Sequence, residues 1–388
     1  MTWPLARKTA VTGIGWTEYS RASGRSVLSL ALEACQKAID DAGIDPDRVD
    51  GIVNFGLNDT IYPHAVATGL GLRNVRHEVM NQGGGNICVA TLAQAAMAIV
   101  ADMADNVLVF RAMNGRSETR LGGTGRSIEP APGEAQYTAP VGWMSYPQYI
   151  AMMARRYMVK YGATSEDFAH VAVTFRSHAQ RNERAMMRAP MTVEDHQSSR
   201  LIAEPLRLMD ICLESDGACA LLVSRADEAR HLAHKPVYLL AASHGGGARP
   251  GYAFDGFFTT DDLADMYAAH IADDLWSKAG LGPEDVDVAS IYDCFTYSVL
   301  TQLEGFGFCP PGEGGAYVRD GNIALGGPMP VNPHGGLLSE AYIHGLNGAV
   351  EMVSQLRGDS GERQVPGAEV ALASGFGGTT GSAVVLGA

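Results

Sequence analysis

The strongest constraint on the fold is an internal repeat. Residues 42–50, AGIDPDRVD, recur in pattern at 279–287 as AGLGPEDVD. Each copy follows a stretch with apolar residues at helical spacing, 28–41 and 263–278, and precedes an apolar strand. In both copies the glycine marks the end of a helix and the proline marks a turn. Two similar βα units in one chain predict a duplicated, layered α/β architecture.

The repeat also suggests how the chain divides. Each half closes on a strand of small residues, at 217–223 and 382–387. Because single cores stop growing at roughly 250–300 residues, we predict an N-terminal half over 1–240 and a C-terminal half over 241–388. A segment at about 114–200 begins rich in Gly, Arg, Thr and Pro and continues with helical patterns. We interpret it as an inserted region that caps a site, and a simple surface excursion is the alternative.

Composition and charge narrow the classes of function. The net charge of −14 argues against a nucleic-acid partner. The longest apolar stretch, 87–101, is shorter than the roughly 20 residues of a membrane span, so we interpret it as a buried helix. The N-terminus has no apolar segment of a secretion signal. Six cysteines without CxxC or metal-ligand spacing fit reduced thiols, so we expect a cytoplasmic protein without a metal.

Five motifs, taken in order along the chain, point to one family. They are AVTGIG at 10–15, SDGACAL at 215–221, DCF at 293–295, NPHGGLLSEAYIHG at 332–345 and GFGG at 375–378. Together they resemble the thiolase superfamily, in particular its lipid-transfer-protein/sterol-carrier-protein-X branch, over nearly the whole chain. The resemblance implies a thiolase fold, a duplicated five-layer α/β/α/β/α architecture with the inserted capping region.

The chain departs from that family at the catalytic positions. A thiolase needs a cysteine thiolate at a helix N-terminus, where the helix dipole favours the anion. The corresponding position here is Gly85, and Cys88, three residues later, is predicted to be a small buried hydrophobe. The two histidines of the family pattern correspond to Tyr292 and Tyr342. Without a thiol at position 85, a covalent acyl-enzyme is disfavoured.

This altered pattern is similar to that of the thiolase-like aldolases of bacterial steroid degradation. The similarity implies retro-aldol cleavage of a β-hydroxyacyl-CoA, with a 17-hydroxy steroid side-chain thioester giving a 17-keto steroid and propionyl-CoA. We expect Tyr292 and Tyr342 to divide the acid and base roles, without assigning which is which. The alternative is that both phenols are packed groups whose hydroxyls only find a hydrogen-bond partner. CoA is then part of the substrate, and no cofactor is expected.

Other residues are expected to assist the reaction. Backbone N–H groups of Gly85, Gly377 and Gly378 are candidates to stabilise an enolate oxygen. Candidates for a supporting role behind the tyrosines are His344, His244, Asp293 and Asn332.

The resemblance also implies partners. Thiolase-fold subunits form a homodimer through their central sheets, and the steroid aldolases resemble assemblies in which a small OB-fold, acyl-CoA-associated domain completes a heterotetramer. Two other functions stay open. One is a thiolase or acyltransferase that uses Cys88 or Cys294, and the other is a non-catalytic carrier of lipid or acyl-CoA. The identity of the acyl group and the physiological direction are not fixed by any motif.

Overall fold

A computed structural model of the chain describes residues 3–118, 120, 135–247 and 262–388. The strands within these residues are β1 (Thr9–Trp16), β2 (Gly51–Gly56), β3 (His77–Gln82), β4 (Asn106–Asn114), β5 (Leu201–Ala203), β6 (Leu206–Arg207), β7 (Asp216–Arg225), β8 (Val237–Gly245), β9 (Val288–Ser290), β10 (Val370–Phe376) and β11 (Gly381–Gly387). The helices are α1 (Val27–Ala42), α2 (Pro63–Leu70), α3 (Ala90–Val100), α4 (Ala135–Thr138), α5 (Tyr146–Tyr161), α6 (Ser165–Ala179), α7 (Val193–Ser198), α8 (Ala226–Ala229), α9 (Tyr267–Ala279), α10 (Thr296–Gly305), α11 (Gly314–Arg319), α12 (Gly336–Ser339) and α13 (Leu346–Arg357).

The main sheet joins two similar halves. Its nine described strands run in the order β3-β2-β4-β7-β1-β8-β11-β10-β9. Strands from the first half of the chain lie on one side and strands from the second half on the other. The halves meet where β1 pairs with β8, through the registers Ala10 with Tyr238 and Val11 with Val237.

Helices cover the sheet in layers. Helix α1 packs on β1, β4 and β7, and helix α9 packs on β8 and β11, so each half has an outer helix. Helices α3 and α13 each contact strands of both halves, so they form a helical layer that the two halves share. This arrangement agrees with the predicted duplicated α/β fold of the thiolase type.

The repeated glycines end equivalent helices. Helix α1 stops at Gly43 (φ 68°) and helix α9 stops at Gly280 (φ 66°), both in the left-handed conformation that glycine adopts without steric cost. The second helix was predicted from residue 263, but it begins at Tyr267 because Met266 has an extended backbone at its N-cap.

The predicted capping region is only partly described, because residues 119 and 121–134 lie outside the described residues. Its helices α5 and α6 correspond to the predicted helical stretches at 149–161 and 165–184. The second of these ends at Ala179, five residues earlier than predicted. The division of the chain at residue 240 falls inside β8 and stays a prediction. In the described parts of the chain, every helix is too short or too polar to cross a membrane.

Candidate active site

Both predicted tyrosines line one pocket, which has a volume of about 530 Å³. That volume is typical of sites for small molecules. Gly84, Gly85 and His344 line the same pocket. We call the group Gly85, Tyr292, Tyr342 and His344 the tyrosine site.

The two phenols are in direct contact. Tyr292 follows β9 and Tyr342 lies between α12 and α13, yet their hydroxyl oxygens are 3.1 Å apart. The Tyr292 backbone is held on both sides, because its N–H donates to Ser374 Oγ (3.0 Å) and its carbonyl accepts from Gln302 Nε2 (2.8 Å). The Tyr342 N–H donates to Ser215 Oγ (3.1 Å), in the first half of the chain. Residues 50 positions apart therefore form one hydrogen-bonded pair.

Burial keeps both phenols protonated. It raises the pKa of Tyr292 well above its ordinary value, and a charge on the neighbouring Tyr342 would raise it further. Burial likewise raises the pKa of Tyr342 well above 10. Neither residue is a ready phenolate near neutral pH.

The ring of Tyr292 fills the space where a side chain at position 85 would lie. A Cβ atom added to Gly85 would be 2.2 Å from both Cζ and the hydroxyl oxygen of Tyr292. On the other side of the ring is Gly345 (φ +81°), whose added Cβ would lie 2.5 Å from Tyr292 Cδ2. A cysteine at position 85 is therefore incompatible with the tyrosine in this position.

The cysteines near the site are poor nucleophiles. Cys88 is fully buried near Tyr292, and burial raises the pKa of its thiol to about 12. Cys294 lines the pocket, but burial also raises the pKa of its thiol well above the ordinary value. Because the thiolate is the reactive form, this environment disfavours a thiolase mechanism through either residue.

Of the three predicted backbone donors, the geometry supports the N–H of Gly85. In the described part of the chain, this N–H donates no hydrogen bond to another protein group. The N–H of Gly377 already donates to the carbonyl of Thr380 at 2.9 Å, and Gly378 is not among the residues that line the pocket. The expectation for the glycine loop is therefore not supported, because its turn uses the Gly377 N–H locally.

Two of the predicted supporting residues tie the tyrosine segments together. Asp293 accepts the N–H groups of Leu337 (2.8 Å) and Leu338 (3.1 Å), just before Tyr342. Burial raises the pKa of Asp293 to about 7. The two hydrogen bonds lower this pKa, because they stabilise the carboxylate, but the effect of burial is larger. Asn332 donates from Nδ2 to the carbonyl of Ile291 (2.8 Å), next to Tyr292.

His244 is placed differently from its expected role. It lies at the exposed end of β8 and is not among the pocket-lining residues. The described residues also contain no group of three His, Cys, Asp or Glu side chains arranged to hold a metal ion.

The apolar wall of the pocket comes from residues that the sequence reasoning did not single out. By resemblance to the steroid aldolases we expected the aromatic and methionine residues of the cap to shape the pocket, namely Trp143, Met144, Tyr146, Tyr149, Met152 and Met153. Of these, Tyr146 lines the pocket, next to Pro147 and Ile150. Met153 is buried in the core, and Met152 is 46% exposed. Further apolar side chains of the wall are Met187, Ile202, Leu208, Met209 and Ile211.

Comparison with known proteins identifies the family. A family model described as thiolase C-terminal domain-like matches residues 256–386. The chain is 43% identical over 390 residues to a protein of Thermomonospora curvata named steroid side-chain-cleaving aldolase, covering 99% of each. The chain belongs to this aldolase family of the thiolase superfamily. It is also 43% identical to the 17-hydroxy-3-oxo-4-pregnene-20-carboxyl-CoA lyase of Mycobacterium tuberculosis, over 99% of this chain and 100% of that protein.

Solved structures agree with this membership. The structure named Ltp2-ChsH2(DUF35) aldolase superimposes with a TM-score of 0.92 at 40% identity, covering 99% of this chain and 98% of that chain. Human mitochondrial 3-ketoacyl-CoA thiolase in complex with CoA covers 100% of each chain with a TM-score of 0.72 at 15% identity, which shows the shared fold. The predicted family and fold are confirmed, and the roles of individual site residues stay predictions.

Sequence reasoning missed Arg111 and Asp59, which lie behind the tyrosine site. His344 Nδ1 accepts a hydrogen bond from Arg111 Nε at 3.0 Å, and Arg111 forms an ion pair with Asp59. The contact between Arg111 and His344 spans 233 residues of sequence, so no local pattern predicts it. The available signal was an arginine inside the apolar strand NVLVFRAM, where a charge needs buried partners.

Proposed function

We propose that the chain is a cytoplasmic aldolase that breaks the Cα–Cβ bond of a β-hydroxyacyl-CoA. The proposed substrate is a 17-hydroxy steroid side-chain thioester, and the products are a 17-keto steroid and propionyl-CoA. The observation that carries the proposal is the 3.1 Å contact between the Tyr292 and Tyr342 hydroxyls in an apolar pocket. The names of the two relatives at 43% identity support the substrate class. No cofactor takes part, because CoA belongs to the substrate.

The reaction moves one proton from oxygen to carbon. The substrate hydroxyl loses its proton and becomes the carbonyl of the ketone. The electron pair of the Cα–Cβ bond moves onto the thioester fragment and forms an enolate. Protonation of that enolate at Cα gives propionyl-CoA, so the step is balanced without an oxidant or reductant.

We infer that the two phenols carry this proton as a neutral relay. One phenol accepts the substrate proton as it passes its own proton to its neighbour, and the neighbour delivers a proton to Cα. Both phenols are neutral before and after the step, as their raised pKa values require. A relay avoids a free phenolate, whose charge would be costly to hold in a buried site.

The other pocket residues suit the two parts of such a substrate. The apolar wall described above suits a flat hydrocarbon skeleton. Arg21 and Arg116 also line the pocket and are exposed, so they are candidates to bind the phosphates of CoA. A local basic patch is compatible with the acidic total charge.

We further propose that the chain works in an assembly. The similar solved structure is named Ltp2-ChsH2(DUF35) aldolase, a name that suggests an association with a DUF35 partner. We expect a homodimer through the thiolase core and a small OB-fold, acyl-CoA-associated partner that completes a heterotetramer. Exposed apolar side chains in the cap, such as Val141 (80% exposed) and Val159 (71% exposed), support a covered surface there. Native mass spectrometry of the chain co-expressed with such a partner would test the assembly.

The activity is tested by replacing each phenol. We expect the wild type, with the partner present, to release propionyl-CoA from a 17-hydroxy steroid-CoA thioester. Tyr292→Phe and Tyr342→Phe keep the ring and remove the acid/base group, so each should lower kcat by about 10²–10⁴-fold. The double variant should be little worse than either single one, because the two act as a unit.

A matched control shows that the effect belongs to the pair. Tyr238→Phe removes a phenol from β8, outside the pocket, and should leave turnover unchanged. Circular dichroism confirms that the variants are folded. Full turnover in both single variants of the pair would refute the assignment.

A further inference from the structure

A buried chain of polar side chains runs from the pocket into the core. His344 lines the pocket, and behind it Arg111 is 0% exposed. Arg111 donates from Nε to His344 Nδ1 at 3.0 Å and from Nη1 to the carbonyl of Ala112 at 2.8 Å, and its Nη2 pairs with Asp59. Asp59 also accepts the N–H of Leu57 at 2.9 Å. Buried charges are costly unless they are paired in this way, so the arrangement needs an explanation.

The arginine fixes the proton position on the imidazole. A guanidinium has only donors, so His344 Nδ1 must be the acceptor in their hydrogen bond. A neutral imidazole with an acceptor at Nδ1 carries its proton on Nε2. Burial, and then the charge of Arg111, lower the pKa of His344 to about 3. His344 is therefore a neutral donor with a single tautomer.

The free donor faces the pocket next to the backbone of Gly85. A Cβ added to Gly84 would lie 3.4 Å from His344 Nε2. In the described part of the chain, His344 Nε2 forms no hydrogen bond. The atom is not enclosed by protein, so it is open to the pocket. The ring of Tyr342 packs edge-on against the imidazole, with centroids 4.9 Å apart. The N–H of Gly85 and the Nε2–H of His344 are thus both available beside the phenol pair.

The backbone at His344 is held in an uncommon conformation. Its φ is +50°, and Gly345 follows with φ +81°. Non-glycine residues in this left-handed region are uncommon and occur preferentially at functional sites. From this position, just before α13, the imidazole contacts Arg111 and lines the pocket.

We propose that His344 donates its Nε2–H to the thioester oxygen of the substrate, together with the Gly85 N–H, and that Arg111 and Asp59 are positioning residues for this donor. The proposal rests on the retro-aldol function above. As the Cα–Cβ bond breaks, negative charge moves onto the thioester oxygen, where two fixed donors stabilise it. A neutral imidazole stabilises this oxygen without giving up its proton, so the proton is delivered to carbon by the phenols.

The contact with the thioester is tested by a spectroscopic measurement that needs no turnover. Propionyl-CoA labelled with ¹³C at the thioester carbonyl is bound to the assembled enzyme, and the carbonyl stretch is measured by isotope-edited infrared difference spectroscopy. The wild type should lower the stretching frequency relative to water, and His344→Leu should reverse part of that shift. His344→Gln, which keeps an N–H donor, should lie between them. An equal frequency in the wild type and His344→Leu would overturn the proposal.

Kinetics separate a catalytic from a structural role. His344→Leu should lower kcat for the steroid thioester by about 10²–10³-fold with little change in KM. His231→Leu, at an exposed position outside the pocket, is the matched control and should leave kcat unchanged. A change in KM alone would contradict the role of His344. If the carbonyl shift is present but no steroid thioester is cleaved, the substrate assignment fails and the donor role stands.

The role of Arg111 is tested through the tautomer. In ¹⁵N-histidine-labelled wild type, assigned by comparison with His344→Gln, the His344 signals should show Nδ1 without and Nε2 with a proton between about pH 5 and 8. Arg111→Lys keeps the positive charge but removes the Nε donor, so both tautomers should appear and kcat should fall. An Nδ1–H tautomer or an imidazolium in the wild type would overturn the proposal even if Arg111→Lys fails to fold.

Discussion

The packing of Tyr292 against Gly85 predicts the effect of adding one methyl group. In Gly85→Ala the new Cβ would lie 2.2 Å from Tyr292 Cζ, whereas ordinary contact begins near 3.4 Å. The shortfall is about 1.2 Å, and the backbone of Tyr292 is held by Ser374 and Gln302. The ring therefore has to tilt, and the 3.1 Å contact with Tyr342 breaks.

Both stability and turnover should change. Overpacking of this kind typically costs about 1–3 kcal/mol of unfolding free energy. Loss of the aligned phenol should lower kcat by about 10²–10⁴-fold, as for removal of a general acid or base. Gly85→Cys adds the same Cβ, so it should be inactive in cleavage and should not gain an acyl-enzyme.

Urea unfolding and steady-state kinetics measure these effects. Gly245→Ala is the matched control, because the nearest atom to its added Cβ is Ile271 Cγ2 at 3.8 Å. Its change in stability should stay within about 1 kcal/mol. A double-mutant cycle adds Tyr292→Ala, which removes the ring. In that background Gly85→Ala should cost less than about 0.5 kcal/mol. If Gly85→Ala retains wild-type stability and turnover, the steric argument is wrong.

Three further predictions concern protonation and buried charge. Since the pKa values of Tyr292 and Tyr342 are raised, both stay protonated, and kcat should be flat between about pH 8 and 9, above the pKa of about 7 of Asp293. A kcat that rises with pH across this range would indicate a phenolate base instead. Iodoacetamide at about pH 8 should inactivate slowly, because the Cys88 thiol has a pKa of about 12 and that of Cys294 is also raised. Rapid inactivation prevented by acyl-CoA would favour the acyltransferase alternative. Arg184→Met leaves the buried Glu340 without its arginine, while Glu351 keeps its ion pair with Arg363, so urea unfolding should show a loss of about 3–5 kcal/mol, and a loss below about 1 kcal/mol would contradict the ion-pair argument.

Local chemistry made much of the fold predictable from the sequence. The two glycine-terminated helices were predicted because the stop signals at Gly43 and Gly280 act within one turn. Tyr292 and Tyr342 could be paired because the resemblance to the thiolase superfamily puts them at the positions of its two histidines, beside position 85. The start of α9 was missed, since helix propensity alone did not reveal that Met266 is extended.

The remainder of the site depends on contacts that leave no local trace. Arg111 meets His344 across 233 residues, and nothing near either residue indicates the other. The Gly377 N–H was expected to face the substrate, but the loop closes on itself through Thr380. Tertiary packing also decides which cap residues line the pocket. Met153 was expected to line it but is buried in the core.

The site takes its residues from both halves of the chain, which join where β1 pairs with β8. Gly85 and Arg111 belong to the first repeat, and the two tyrosines belong to the second. The second repeat also carries His344, whose imidazole accepts a hydrogen bond from Arg111 of the first repeat. A gene fragment that encodes one repeat would therefore lack part of the proposed site.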